Sequence, residues 1–199
     1  MEPIIWDLPL ITGIFLLNGL FVIVALMSVR GQRREDKRNA RMKFARDFAT
    51  LAYEFQARFH KVRNPVIEYY EYYKRPPEAK ESEAERERRN ELFALRRRID
   101  ELMIYLPRLE AMKWEAQVLL DVDSSDNVDE LRHLTEDLIA AVERYYSPEF
   151  RRMVENKEVS VNIFEEVYDR VFGFSNDEFG QKISQMVDKL SKELIDAIR

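Results

Sequence analysis

The sequence predicts an all-α protein: a single N-terminal transmembrane helix followed by a cytoplasmic helical bundle. Three observations predict it. From Leu8 to Val29 the 199-residue chain runs 22 residues without a charge. Beyond residue 46, apolar residues recur at spacings of three and four, the period of an amphipathic helix. No stretch alternates with period two for long enough to argue a strand, and no repeat of fixed length is visible.

The first element is the apolar run. At 1.5 Å per residue it makes a helix of about 33 Å, close to the roughly 30 Å hydrocarbon core of a bilayer. A secretory signal would carry a basic leader and a shorter apolar stretch. Here Glu2 and Asp7 precede the run, no Lys or Arg does, and no small-x-small site follows it. The reading is an uncleaved span over 8–29, with 1–7 as a short extracytoplasmic tail and Trp6 at the outer interface. Asn18 and Gly19 stand out as residues for transmembrane helix contact. An amide can hydrogen-bond a second helix in lipid, and glycine lets backbones approach. No GxxxG is present.

Residues 30–46 form a basic juxtamembrane stalk. Arg30, Arg33, Arg34, Lys37, Arg38, Arg41, Lys43 and Arg46 stand against only Glu35 and Asp36. The positive-inside rule keeps this flank and the domain at 47–199 in the cytoplasm, and the expected membrane is the bacterial inner membrane. The same cations suit anionic lipid headgroups, at about 1 kcal/mol each. Topology accounts for them, so no nucleic-acid partner is expected.

The helices of the domain follow in order. Phe44, Phe48, Leu51, Phe55, Phe59 and Val62 mark the first, which could run unbroken from the membrane flank with Gly31 as its weakest point. Asn64-Pro65 stops it and starts a short helix holding Val66 and Ile67. Pro76-Pro77 stops that one. A third helix is expected over 78–120, kinked by Pro107. Within it Leu92, Leu95, Ile99, Leu102, Leu106 and Leu109 form a 3-4-3-4-3 seam that ends at Lys113. Such a seam serves a bundle core or self-association of two chains. Phe93, Met103 and Tyr105 widen the apolar face and favour the core. Glu85-Arg89 and Glu83-Arg86 read as pairs on a solvated face.

DVDSSDNVD at 121–129 reads as a loop that caps a fourth helix, with Val128, Leu131, Leu134, Leu138, Val142 and Tyr145 on one side. Ser147-Pro148 opens a short helix through Phe150. Ile163, Phe164, Val167, Val171 and Phe172 mark the next, closed by Gly173. The last opens at a capping box, Ser175 to Glu178, with Phe174 and Phe179 as the staple. Its stripe of Phe179, Ile183, Met186, Val187, Leu190, Leu194 and Ile198 is expected to cover the core.

Chemistry is thinly represented. There is no cysteine and only His60 and His133, which excludes thiolate chemistry and a three-histidine metal site. His133 has Asp129 and Asp137 at i−4 and i+4, an arrangement better suited to a surface ion pair than to a metal. His60 sits among Arg58, Lys61 and Arg63, which disfavours its protonation. The 121–132 stretch lacks the Gly and the Glu of a calcium loop. No phosphate-binding, dinucleotide-binding or nucleophile-elbow motif occurs. Tyr69, Tyr70, Tyr72 and Tyr73 are expected to pack on the phenylalanines of the first helix rather than to stack bases or grip headgroups. No cofactor is implied.

Charge is segregated along the chain. Residues 30–75 hold 13 basic and 6 acidic residues, 76–120 hold 9 and 10, and 121–199 hold 10 and 19. An anionic membrane attracts the near part and repels the far one. The expected function is therefore a membrane-anchored helical interaction module, serving as scaffold, adaptor or regulatory subunit without a catalytic site. Its partners would be the bilayer, an unidentified protein and, as a homo-oligomer, itself. The alternatives are a membrane-acting effector of a defence or toxin system that oligomerises through its transmembrane helix, and a membrane-surface enzyme.

Overall fold

A computed structural model describes residues 7–78, 80–173 and 177–199, with the side chains of 7–23, 25 and 26 outside the described residues. Eight helices and no strand are found among the described residues: α1 Asp7–Arg63, α2 Tyr69–Tyr72, α3 Glu83–Met103, α4 Tyr105–Leu120, α5 Ser125–Tyr146, α6 Pro148–Glu155, α7 Val161–Val171 and α8 Glu178–Asp196. The chain falls into two compact units that divide between Lys43 and Phe44, so α1 contributes to both. Among the described residues no helix is long and apolar enough to cross a membrane. The apolar run 8–29 has its backbone in α1, but its side chains, including those of Asn18 and Gly19, lie outside the described residues except for Val24 and Met27 to Val29. Trp6 lies outside them altogether.

The second unit is a helical bundle built around the buried end of α1. Phe48, Phe55, Phe59 and Val62 are fully enclosed. They meet Leu95 and Leu102 of α3, Leu109 of α4, Leu131 and Leu138 of α5, and Ile183, Leu190 and Leu194 of α8 in one cluster. Each such side chain contributes roughly 1.5–3 kcal/mol by leaving water. Leu190 and its stripe thus cover the core of the same chain.

Several boundaries differ from the sequence reading, each for a local reason. The expected 78–120 helix is two helices. Pro107 has no N–H and its ring crowds the carbonyl four residues back, Met103, so the ladder breaks at Ile104. Phase survives the break: the seam Leu92 to Leu109 lies in the core, with Leu92 half-buried, and continues through Lys113, Ala116 and Leu120. Val66 and Ile67 precede the short helix instead of lying in it, because Glu68 caps α2 with a capping box to Glu71. Asp177, rather than Ser175, caps α8 by accepting from the Gly180 N–H at 2.6 Å. Phe174 and Ser175 lie outside the described residues. Phe172 is the C-cap of α7, so Gly173 closes the helix at the next place, as expected, but without a positive φ. Glu85 is taken by the Ser82 cap, and Arg89 reaches Glu78 and Glu81 instead.

Two buried arginines hold the corners at the end of α1. Arg63 is fully enclosed. It donates to both carboxylate oxygens of Asp177 (2.9 and 2.7 Å) and to the carbonyls of Asp169 (2.5 Å) and Arg170 (3.0 Å), and lies over the Phe179 ring. Gly173 closes this corner. Its N–H donates to the Arg63 carbonyl at 3.1 Å, and a Cβ there would collide with the Asp177 carboxylate and the guanidinium. Arg98 does the same on the other side. It pairs bidentately with Glu71 (2.7 and 2.6 Å) and caps the carbonyls of Lys61, Asn64 and Val66. A guanidinium with five donors is the side chain able to satisfy so many acceptors at once.

Candidate functional site

The concave surface best suited to a ligand lies between α3 and the corner of α5, α6 and α7. The Ser147-Pro148 turn creates it. A residue before proline is driven to extended backbone, and Ser147 (φ −67°, ψ 140°) ends α5 and caps α6 by accepting from the Phe150 N–H at 3.1 Å. The turn buries Phe150 and leaves Arg151 and Arg152 outside. Two adjoining hollows of about 380 and 790 Å³ share Arg88, Tyr146, Arg151 and Glu155.

Aromatic rings make the floor. Phe150 stacks on Phe164 (6.5 Å between centroids, 6° between planes), and Tyr145 meets Tyr146, Phe164, Tyr168 and Phe172 at 5.0 to 6.2 Å. Arg88 donates to the Tyr145 carbonyl at 3.0 Å and lies over the Tyr146 ring, so it caps the negative end of α5. The Tyr146 hydroxyl donates to Glu91 at 3.1 Å. Burial and then the Glu91 charge push both tyrosine pKa values up, so these phenols are neutral donors and not bases. At the rim Arg151 pairs with Glu155 at 2.8 Å, whereas Arg96 and Arg152 make no ion pair with any described residue. The smaller hollow offers flat apolar contact on Tyr145, Phe150 and Phe164, and the larger one beside it carries the two uncommitted guanidiniums together with Glu85 and Glu143.

A second hollow of about 430 Å³, between α5, α7 and α8, is lined by Asp137, Glu166, Asp169, Asp177 and Glu178. Its carboxylates are largely engaged: Asp177 by Arg63, and Asp137 and Glu166 by Arg170. Among the described residues no group of three or more potential metal ligands occurs.

The sequence-derived candidates are dispersed. Arg30, Arg33, Arg34, Lys37, Arg38, Arg41, Lys43 and Arg46 are all exposed along α1. Leu92 to Leu109 line the core. His133 approaches Glu136 at 3.3 Å, not Asp129 or Asp137: Asp129 is held by Lys113 and Asp137 by Arg170. His60 is half-buried with both ring nitrogens out of water and unpartnered, and burial, then the Arg63 charge, lowers its pKa. The tyrosine cluster is corrected outright. Tyr69, Tyr70 and Tyr73 are more than half exposed, and the Tyr69 ring meets those of Tyr72 (edge-on, 5.5 Å) and Tyr73 (6.2 Å) instead of the phenylalanines of α1. Half of DVDSSDNVD is helix, since α5 begins at Ser125.

The groove was missed in the sequence because its parts are 60 residues apart and each reads as something else. Tyr145 and Phe164 read as core. Arg88 falls in the charged stretch that reads as a solvated face, and nothing in the sequence marks Arg96. The one legible signal was the pair of arginines directly after Ser147-Pro148-Glu-Phe, where a cap fixes the register. No family model, curated protein or solved structure matches the chain.

Proposed function

We propose that the protein is a membrane-anchored helical interaction module, a scaffold, adaptor or regulatory subunit without a catalytic site of its own, whose binding site is the α3–α6 groove. The groove's combination of aromatic floor and uncommitted Arg96 and Arg152 carries this reading. It fits an acidic amphipathic segment of a partner protein, with apolar side chains on the Phe150–Phe164 stack and carboxylates between the two guanidiniums. The two buried guanidiniums are already committed within the bundle, Arg63 to Asp177 and Arg98 to Glu71, whereas Arg96 and Arg152 are not. Anchoring rests on the uncharged run 8–29, and a cytoplasmic groove on the basic residues that follow it.

The test is charge reversal in the full-length chain. Arg96→Glu with Arg152→Glu should weaken binding of an acidic amphipathic peptide by about a hundredfold, at roughly one tenfold step per charged hydrogen bond lost. The melting temperature should not move, because both side chains are exposed. Unchanged peptide affinity would overturn the groove reading. Anchoring is tested separately: the chain should resist alkaline carbonate extraction, and release into the supernatant would overturn it.

A further inference from the structure

The α4 helix carries a second stripe, on the side away from the core. Ile104, Pro107, Ala111, Trp114 and Val118 succeed one another at spacings 3-4-3-4 and are all exposed. Ile104 and Trp114 are each 63% open and Val118 83%. Ile104, although it caps the helix, has helical φ and ψ (−65°, −26°), so the stripe is continuous with α4. In heptad terms Ile104, Ala111 and Val118 hold the a positions, and Pro107 and Trp114 the d positions.

We propose that α4 pairs with α4 of a second copy of this chain, antiparallel, along Ile104, Pro107, Ala111, Trp114 and Val118. Volume and charge select this occupant and this direction. Antiparallel pairing sets a against d. Ala111 then faces the second copy's Trp114, and Pro107 faces its Val118, so the largest side chain meets the smallest, twice by symmetry. Parallel pairing would set Trp114 on Trp114 and Ala111 on Ala111, a clash beside a void. The flanks agree. Arg108 and Glu115 are both e positions, and e flanks e in an antiparallel pair, giving two Arg–Glu contacts. A parallel pair would bring Glu110 at g against Glu115 at e, like against like. An anionic bilayer suits the stripe less well, because Glu115, Asp121 and Asp123 follow along it, Lys113 is tied to Asp129 at 3.0 Å, and Glu110 is paired with Arg132. The contact is two heptads long and buries less than the roughly 800 Å² per partner of a standard interface, so the dimer is reversible.

The absence of cysteine makes the test clean. Two differently tagged full-length chains, one Pro107→Cys and one Val118→Cys, are mixed in detergent and oxidised. The mixed disulfide should form about tenfold faster than that of a Glu158→Cys control, by proximity. Each variant alone should stay near the control rate, since the two copies of either residue lie 11 residues, about 16 Å, apart along the antiparallel pair. Glu115→Arg should abolish the excess, and Arg108→Glu with Glu115→Arg should restore it. Mixed cross-linking at the control rate, or failure of the double reversal to restore it, overturns the proposal. So does faster cross-linking of each variant with itself, which would mean parallel pairing. A blue shift of Trp114 emission on adding phosphatidylglycerol vesicles to a Trp6→Phe chain, with cross-linking at the control rate, assigns the stripe to lipid and equally overturns it.

Discussion

The two faces of the α3–α4 arm share one rhythm and have opposite fates. Leu92 to Leu109 and Ile104 to Val118 both step by three and four along the chain. The first is enclosed by α1, α5 and α8, and the second is exposed. Periodicity therefore identifies stripes without saying which one turns inward. What separates them is length and support. The inner stripe runs on through Lys113, Ala116 and Leu120, spanning both helices, whereas the outer one is confined to a single helix of 16 residues. Lys113 conceals that length, because a cation ends a seam on paper. In the fold its stem is buried, its ammonium reaches Asp129 at 3.0 Å, and it lies over the Trp114 ring.

Charging the inner stripe should give the largest effect. Leu102→Asp would put a carboxylate among fully buried side chains, with a lost-packing cost of about 2–5 kcal/mol plus the desolvation of the charge. The expected result is loss of the cooperative thermal transition by circular dichroism. A variant that still melts sharply near the parent temperature would show that this face of α3 is not core.

Next comes the polar lock at the end of α1. Arg63→Met strands Asp177 beside apolar surface and should cost about 3–5 kcal/mol in denaturant unfolding. Adding Asp177→Leu should recover only part of that loss, because Asp177 also caps α8 and the carbonyls of Asp169 and Arg170 lose their donor. Full additivity of the two changes would refute the coupling.

These locks mark the limit of what the sequence made legible. The core stripes of α1, α5 and α8 were readable, since 3.6-residue periodicity over four or more turns leaves little ambiguity. So was the Ser147-Pro148 cap, whose chemistry is local. Arg63, Arg98 and Glu71 were unreadable, because their roles depend on backbone carbonyls supplied by distant turns. The groove was unreadable for the same reason. Asn64-Pro65 announced the end of α1 but not that Arg98 would gather the carbonyls freed there, or that Arg63 would reach those at the end of α7.

A smaller effect is expected from pH, and it distinguishes the enclosed groups from the exposed ones. The folded pKa of His60 lies below its ordinary 6.5, through burial and the Arg63 charge. The folded state therefore binds fewer protons than the unfolded state just below that value, and stability falls as pH drops through it. Glu71, held by its bond to Arg98, and Glu81, held by Arg75 at about 2, act with the same sign below 4.5. Burial pushes Asp177 up, but the Arg63 and Gly180 bonds outweigh it, so it joins them below 3.8. The melting temperature should be level from about pH 7 to 9, fall near 10 where unfolded Tyr145 and Tyr146 lose protons that the folded state keeps, decline gently below 6.5 and steeply below 4.5. His60→Leu should remove the gentle decline and keep the steep one. A decline unchanged by His60→Leu would place its origin elsewhere.

The smallest effect should come from the outer stripe, and it sharpens the comparison most. Val118→Asp makes the same kind of change as Leu102→Asp, an aspartate for an aliphatic residue in a 3-4-3-4 stripe. Val118 is 83% open in the single chain and Leu102 is fully closed, so neither packing nor desolvation resists the substitution there. An exposed substitution of this kind shifts stability by no more than about 0.5 kcal/mol. In the dimer the aspartate would face Pro107 of the second copy and be desolvated without a partner. Dilute Val118→Asp should therefore melt with the parent, while cross-linking between an Ile104→Cys and an Asp121→Cys chain, which face each other in the antiparallel pair, falls to the control rate when both also carry Val118→Asp. A fall in melting temperature as large as that of a core substitution would mean that the outward face of α4 is covered within its own chain.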